Sequence, residues 1–246
     1  MKYLSAHIIR ISALLLLFGG ALALKGFPAV YHNDPLLTGA WHTAEGNVEQ
    51  SLIIADGYCM LTKYDKSGKK FIHSFGGPLK AAGDQITLTI EFNSSDKSQV
   101  GKTLSYKYSI RNNTLSSTIG GAKNKWQRTD NGRDGLSGNW RITQRKQGDQ
   151  MAEIPLRARR TLKLLTATRF QWAAINIETG EFSGSGGGTY TFANGKYTEH
   201  IEFFSRDSTR VGAALTFDGK TENGNWIHSG LSSKGDPIYE VWSRMK

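Results

Sequence analysis

Glu199, His228 and Glu240 carry the side chains that acid–base chemistry needs, and strand alternation can turn all three to one side. A histidine facing two carboxylates in one pocket can hold, give or take a proton near neutral pH. Tyr190, Tyr197 and Trp226 would add aromatic walls, so the set has the form of a small-molecule site: apolar surface with a few placed polar groups. The rest of the sequence argues against an enzyme. It has no Gly-x-Ser-x-Gly elbow, no phosphate-binding loop and no His-Glu-x-x-His motif. The six histidines show no pair at ligand spacing, so no catalytic residue, metal or cofactor is expected. The glycine-rich run from Gly184 to Gly188 lacks a following Lys-Ser/Thr and helix, and reads as a bend within a strand. Cys59 is the one cysteine; in the apolar run Tyr58-Cys59-Met60-Leu61 it reads as a buried, inert thiol, and it excludes an intramolecular disulfide.

The elements that must position these residues come in two copies. Thr87-x-x-Ile90-Glu91-Phe92-x-Ser94-x-Asp96 recurs as Thr198-x-x-Ile201-Glu202-Phe203-x-Ser205-x-Asp207, 111 residues later. The same spacing links Phe71 to Phe182, Ser74 to Ser185, Gly76-Gly77 to Gly187-Gly188 and Leu104 to Leu215. Only the ends depart from it. Gly39-x-Trp41 matches Gly138-x-Trp140 at a spacing of 99, so the second copy gains 12 residues after its first strand. Trp126-x-Arg128 matches Trp242-x-Arg244 at 116, a further gain of 5 before the last strand. Each copy reads as eight short strands joined by tight turns such as Ala55-Asp56-Gly57, Ala82-Gly83-Asp84 and Asn223-Gly224, whose residues tolerate positive φ. The expected fold is all-β: two tandem eight-stranded antiparallel up-and-down barrels, spanning 36–130 and 136–246, behind a signal peptide.

Alternation assigns the faces. Ile86, Leu88, Ile90 and Phe92 point inward, which puts the recurring Glu91 and Glu202 on a solvated outer face. The same register sends Tyr197, Glu199, Ile201 and Phe203 into the second barrel, joined by Tyr190, Phe192, Trp226, His228 and Glu240. The first copy has Leu88, Leu115, Ser117 and Asn124 at the positions of Glu199, Trp226, His228 and Glu240. The second lumen is therefore where a small hydrophobic or amphipathic ligand is expected.

A Gly-x-Trp on the first strand with an arginine on the last resembles the signature of lipocalins and the wider calycin group. Both copies carry it, as Gly39, Trp41 and Arg128, then Gly138, Trp140 and Arg244. The resemblance covers 36–246 in architecture, and the copies look more like the compact lipocalin-like domains of secreted bacterial proteins of unassigned function. It implies that the tryptophan plugs the closed end of each barrel, with the arginine packed across it. It also places a helical lid between the first two strands, where Met151 to Arg160 would form a short helix or loop over the open end.

Lys2 and Arg10, the apolar run Ile11 to Leu22 and the Ala21-Leu22-Ala23 pattern read as a secretory signal peptide over residues 1–23, making the protein periplasmic or secreted. The net charge is +10, and losing Lys2 and Arg10 leaves +8. Such a charge favours peripheral contact with an anionic envelope surface, with Arg157, Arg159 and Arg160 as its densest cluster. Export and the scatter of the other basic residues argue against nucleic acid. The alternative to a ligand carrier is a non-catalytic adaptor that holds a protein or envelope component.

Overall fold

The computed structural model describes residues 35–121, 124–133, 135–232 and 235–245; the expected signal peptide at 1–23 lies outside them. Two antiparallel barrels of eight strands follow one another along the chain. The first comprises β1 (Gly39–Glu45), β2 (Val48–Ala55), β3 (Tyr58–Asp65), β4 (Lys70–Ala82), β5 (Gln85–Thr89) with its short continuation β6 (Phe92–Asn93), β7 (Thr103–Arg111), β8 (Thr114–Ser117) and β9 (Asn124–Asp130). Each pairs with its neighbour, and β1 closes the barrel on β9. The second comprises β10 (Gly138–Gln147), β12 (Arg159–Leu165), β13 (Arg169–Asn176), β14 (Glu181–Ala193), β15 (Lys196–Phe204), β16 (Ala214–Glu222), β17 (Asn225–Leu231) and β18 (Pro237–Arg244), closed by β10 on β18. The extra strand β11 (Gln150–Glu153) pairs with the far end of β10.

At the closed end of each barrel a tryptophan is buried under an arginine. Arg128 stands 4.0 Å over the Trp41 ring, and Arg244 stands 4.3 Å over Trp140. The indole N–H groups donate to Leu37 O (2.9 Å) and Leu136 O (2.8 Å). The glycine of the motif has a steric reason. A Cβ at Gly138 would overlap the Arg244 guanidinium, so only glycine lets the arginine lie flat on the ring.

The barrels pack side by side with approximate two-fold symmetry: β2 touches both β12 and β13, and β3 touches β12. Phe71 stacks on its own counterpart Phe182, ring centroids 6.0 Å apart. Gln171 bridges the related pair Ser74 (2.8 Å) and Ser185 (3.0 Å) and accepts from Thr62 (2.9 Å), all buried. Ile53, Met60 and Phe92 of the first barrel share one apolar cluster with Leu162, Leu164 and Ile175 of the second.

This packing corrects part of the expected register. Glu91 and Glu202 do leave their own barrels, but they enter the seam between the two rather than water. Glu202 joins Arg169 and accepts from Tyr64 (3.0 Å) and Lys66 (3.1 Å) of the first barrel. Burial pushes its carboxyl up, but the facing Arg169 and Lys66 outweigh that and hold it below its ordinary range. Glu91 accepts from Tyr58 (3.0 Å) and lies 3.9 Å from Arg160 of the second barrel. Phe92 and Phe203 also leave the lumen for the seam, Phe203 packing on Tyr64 with centroids 5.0 Å apart. The cause is an irregularity at the same place in both copies. Opposite Gly187/Gly188 the register slips past Glu202, and in the first barrel the strand breaks between Thr89 and Phe92, so alternation changes sides.

Met151 to Arg160 is not a helix. β10 runs on to Gln147, turns through Gly148-Asp149 and pairs back as β11, after which Pro155 has no N–H to continue the ladder. No described helix is long and apolar enough to cross a membrane.

Candidate functional site

The open end of the second barrel holds a cavity of about 260 Å³. Its chemistry begins on β12, where Thr161, Lys163 and Leu165 alternate onto the lumen side. Lys163 is 5% exposed. Its ammonium pairs with Glu199 on β15 and stands 5.1 Å from the Tyr197 ring centroid, 5.3 Å from Trp226, 5.5 Å from Phe170 and 5.6 Å from Trp242. A carboxylate and four aromatic faces thus replace the water that a buried cation loses.

Glu240 on β18 forms the second charged group. Its Oε1 accepts from Arg145 Nε (3.1 Å) and Nη2 (2.6 Å), and its Oε2 accepts from Trp242 Nε1 (3.0 Å). The same Oε2 lies 3.6 Å from His228 Nδ1, beyond hydrogen-bond range. Burial would raise the Glu240 carboxyl, but His228 and Arg145 prevail and hold it low. Burial depresses His228 below its ordinary value, against the opposing pull of Glu240, so the ring is neutral at neutral pH.

His228 is 3% exposed, its ring 4.1 Å from Phe217, and neither ring nitrogen has a hydrogen-bond partner. The Tyr197 hydroxyl and Trp226 Nε1 are also unpartnered. Burial, and after it Glu199, pushes the Tyr197 hydroxyl well above its usual range, so it remains a donor. Buried polar atoms normally find partners, and four orphans in one lumen are a concentration of unmet hydrogen bonding.

All six residues expected to line the second lumen are buried together, at two depths. Glu199, His228 and Glu240 line the cavity. Tyr190, Tyr197 and Trp226 form the packed floor beneath it, the Tyr190 hydroxyl bonded toward the closed end at Thr166 O (2.6 Å). Sequence reasoning missed Arg145, Lys163, Trp172 and Phe217, which also line it. Lys163 was detectable, because the spacing of 111 sets it at the position of Leu52, an inward residue of the first copy. Phe217 matches Tyr106 in the same way. Arg145 was hidden by the inserted residues around β11.

Trp172 and Phe204 narrow one side of the opening, packed edge to face at 5.4 Å. The glycines of β14 permit this, since a Cβ at Gly186 would come within 2.8 Å of Trp172 Nε1. Cys59 is fully buried and burial pushes its thiol up to about 12, which keeps it protonated and inert. Among the described residues no group of three or more His, Cys, Asp or Glu is placed to hold a metal. The sequence matches no protein-family model and none of the curated proteins compared with it.

Proposed function

We propose that this is an exported, lipocalin-like carrier of the calycin type whose second barrel binds a small, partly hydrophobic ligand at its open end. The observation that carries the reading is His228: buried, neutral, facing the cavity, with both ring nitrogens unpartnered. A ligand carbonyl accepting from the ring N–H, or a hydroxyl set against either nitrogen, would partner one of them, while Phe217, Phe204 and Trp172 supply the apolar wall. A space of 260 Å³ corresponds to about eight or nine water molecules, so the ligand is small or inserts only one end. A binding role fits better than catalysis, because both carboxylates are already committed, Glu199 to Lys163 and Glu240 to Arg145 and Trp242.

Native mass spectrometry of the protein purified from its own host tests this, beside His228→Phe, which keeps the ring and removes the nitrogens. A small molecule carried by the wild type and lost from the variant is expected. An empty wild type would overturn the carrier reading.

One feature favours a second role for the same end, contact with an anionic envelope surface or a partner. Met151, Leu156, Leu231 and Tyr239 are exposed apolar side chains on or beside the β10–β11 and β17–β18 hairpins, with Arg157 and Arg159 next to them.

A further inference from the structure

The open end of the first barrel holds a larger cavity, about 660 Å³. Its floor is apolar, made by Phe75, Ile90, Leu104 and Tyr106, and its rim is polar, with His73 paired to Asn93 and the Asp96 carboxylate already taken up by Ser98 and Gln99. This is the counterpart of the second barrel's cavity, since Ile90, Leu104 and Tyr106 stand 111 residues before its lining residues Ile201, Leu215 and Phe217. The two are open to different degrees for a stated reason. Where the second barrel places Phe204 and Trp172 across the opening, the first has Asn93 and Leu61, smaller side chains at the same positions.

Gln50 marks what this bowl would bind. It alternates on β2 with the inward Leu52 and Ile54, and it matches Thr161, which lines the second cavity. It is 7% exposed, and its amide oxygen has no hydrogen-bond partner among the described residues. That oxygen lies 3.5 Å from the point a Cβ on Gly120 would occupy, and Gly120 lines the bowl. A buried acceptor without a donor is destabilising, and a ligand donor would recover that loss.

We propose that the open end of the first barrel is a second binding site, taking an uncharged ligand with a flat apolar body and an N–H or O–H donor that reaches Gln50. The apolar floor takes the body of the ligand, and the donor supplies the partner that Gln50 Oε1 lacks. The site is independent of the one in the second barrel.

The test is a fluorescence titration of the full protein with N-phenyl-1-naphthylamine, which has two apolar ring systems and one N–H. 1-Phenoxynaphthalene, the same shape without the donor, serves as competitor. The wild type should bind the amine several-fold more tightly than the ether. Thr118→Trp, an exposed rim position that fills the bowl, should weaken the amine at least tenfold. Gln50→Leu should remove the preference for the amine, a factor of roughly 2–12 for one hydrogen bond. Ile238→Trp, at the second barrel's cavity, should change neither affinity. Absence of amine binding, a Thr118→Trp variant that binds like wild type, or an effect confined to Ile238→Trp would overturn the proposal. If Gln50→Leu does not fold, equal wild-type affinities for amine and ether would by themselves overturn the role of Gln50.

Discussion

The two barrels share a backbone plan and differ in what fills it. In the first lumen Leu52, Leu88 and Leu115 sit in one apolar cluster. The second has Lys163, Glu199 and Trp226 at those positions, and Phe170, Tyr197 and Phe217 where the first has Cys59, Ile86 and Tyr106. Exchanging two leucines for an ion pair favours making both changes together, because one buried charge without the other is strongly destabilising. The aromatic substitutions then supply ring faces around the cation. The closed end was left alone in both copies. The lesson is that the arginine-covered tryptophan and the strand ladder hold the barrel, while the lumen's middle layers can be rewritten.

The sharpest way to break this comparison is to rewrite them back. Glu199→Leu alone should destabilise the protein by about 3–5 kcal/mol, since Lys163 stays buried without its counter-charge. Adding Lys163→Leu should recover most of that loss, because the pair then matches Leu52 and Leu88. Urea unfolding of the two variants reads both numbers. A double variant no more stable than the single one would show that the first lumen is not a usable template for the second.

The seam offers a second contrast. Arg169 occupies the position of Tyr58, and each serves the repeated glutamate of its own barrel. Glu202 is buried while Glu91 is partly exposed. Arg169→Ala should therefore cost about 2–3 kcal/mol, and Tyr58→Phe about 1 kcal/mol, by the same unfolding measurement. Equal costs would mean that the approximate two-fold symmetry extends to the energetics.

Much of this was legible from the chain. The spacing of 111 and strict alternation revealed two barrels and the inward faces of Leu88, Glu199, His228 and Glu240. Alternation failed after Ile90 and Ile201, because an irregularity in the ladder moves Phe92, Glu202 and Phe203 to the seam. A two-residue period carries no sign of a slipped register. Glu91 and Glu202 read as solvated for a related reason: a face that leaves one barrel can be covered by another, and no pattern within one strand reports that. For Met151 to Arg160 the expectation of a short helix or loop misses the strand β11, because the segment has too few residues of clear period to separate strand from helix.

The shifted histidines and the buried glutamates also separate by pH. His228 and His73 are both held below 6.5 by burial, His228 the more enclosed. Below that pH the unfolded chain takes up protons that the folded chain refuses, so their contribution is present above 6.5 and falls as pH drops. Glu202 and Glu240 are held below 4.5, so theirs is present above 4.5 and is lost on further acidification. The melting temperature should fall between pH 7.5 and 5.5, and fall again below about 4.5. His228→Phe should remove most of the first loss and, because His228 helps to hold Glu240 low, part of the second, while His73→Gln should remove a smaller share of the first. A melting temperature that is flat above pH 5 would mean that neither histidine is a buried neutral ring in solution.

The smallest effect is expected where the barrels' closed ends meet. Asp56, at the β2–β3 turn, accepts from Asn139 N (2.9 Å) and from Arg244 (2.7 Å). Asp130, also of the first barrel, accepts from Thr166 (2.8 Å) and from Thr168 N (3.0 Å), so the first barrel pins the second with two carboxylates. Arg244 and Asp56 are both partly exposed, where water and salt screen their attraction, and Arg244 keeps its seat on Trp140 without it. Asp56→Asn retains an acceptor for the Asn139 N–H and removes only the charge, so it should cost less than about 1 kcal/mol and less still in high salt. A larger, salt-independent loss would show that the tie between the barrels, rather than the tryptophan beneath it, is what Arg244 is there to hold.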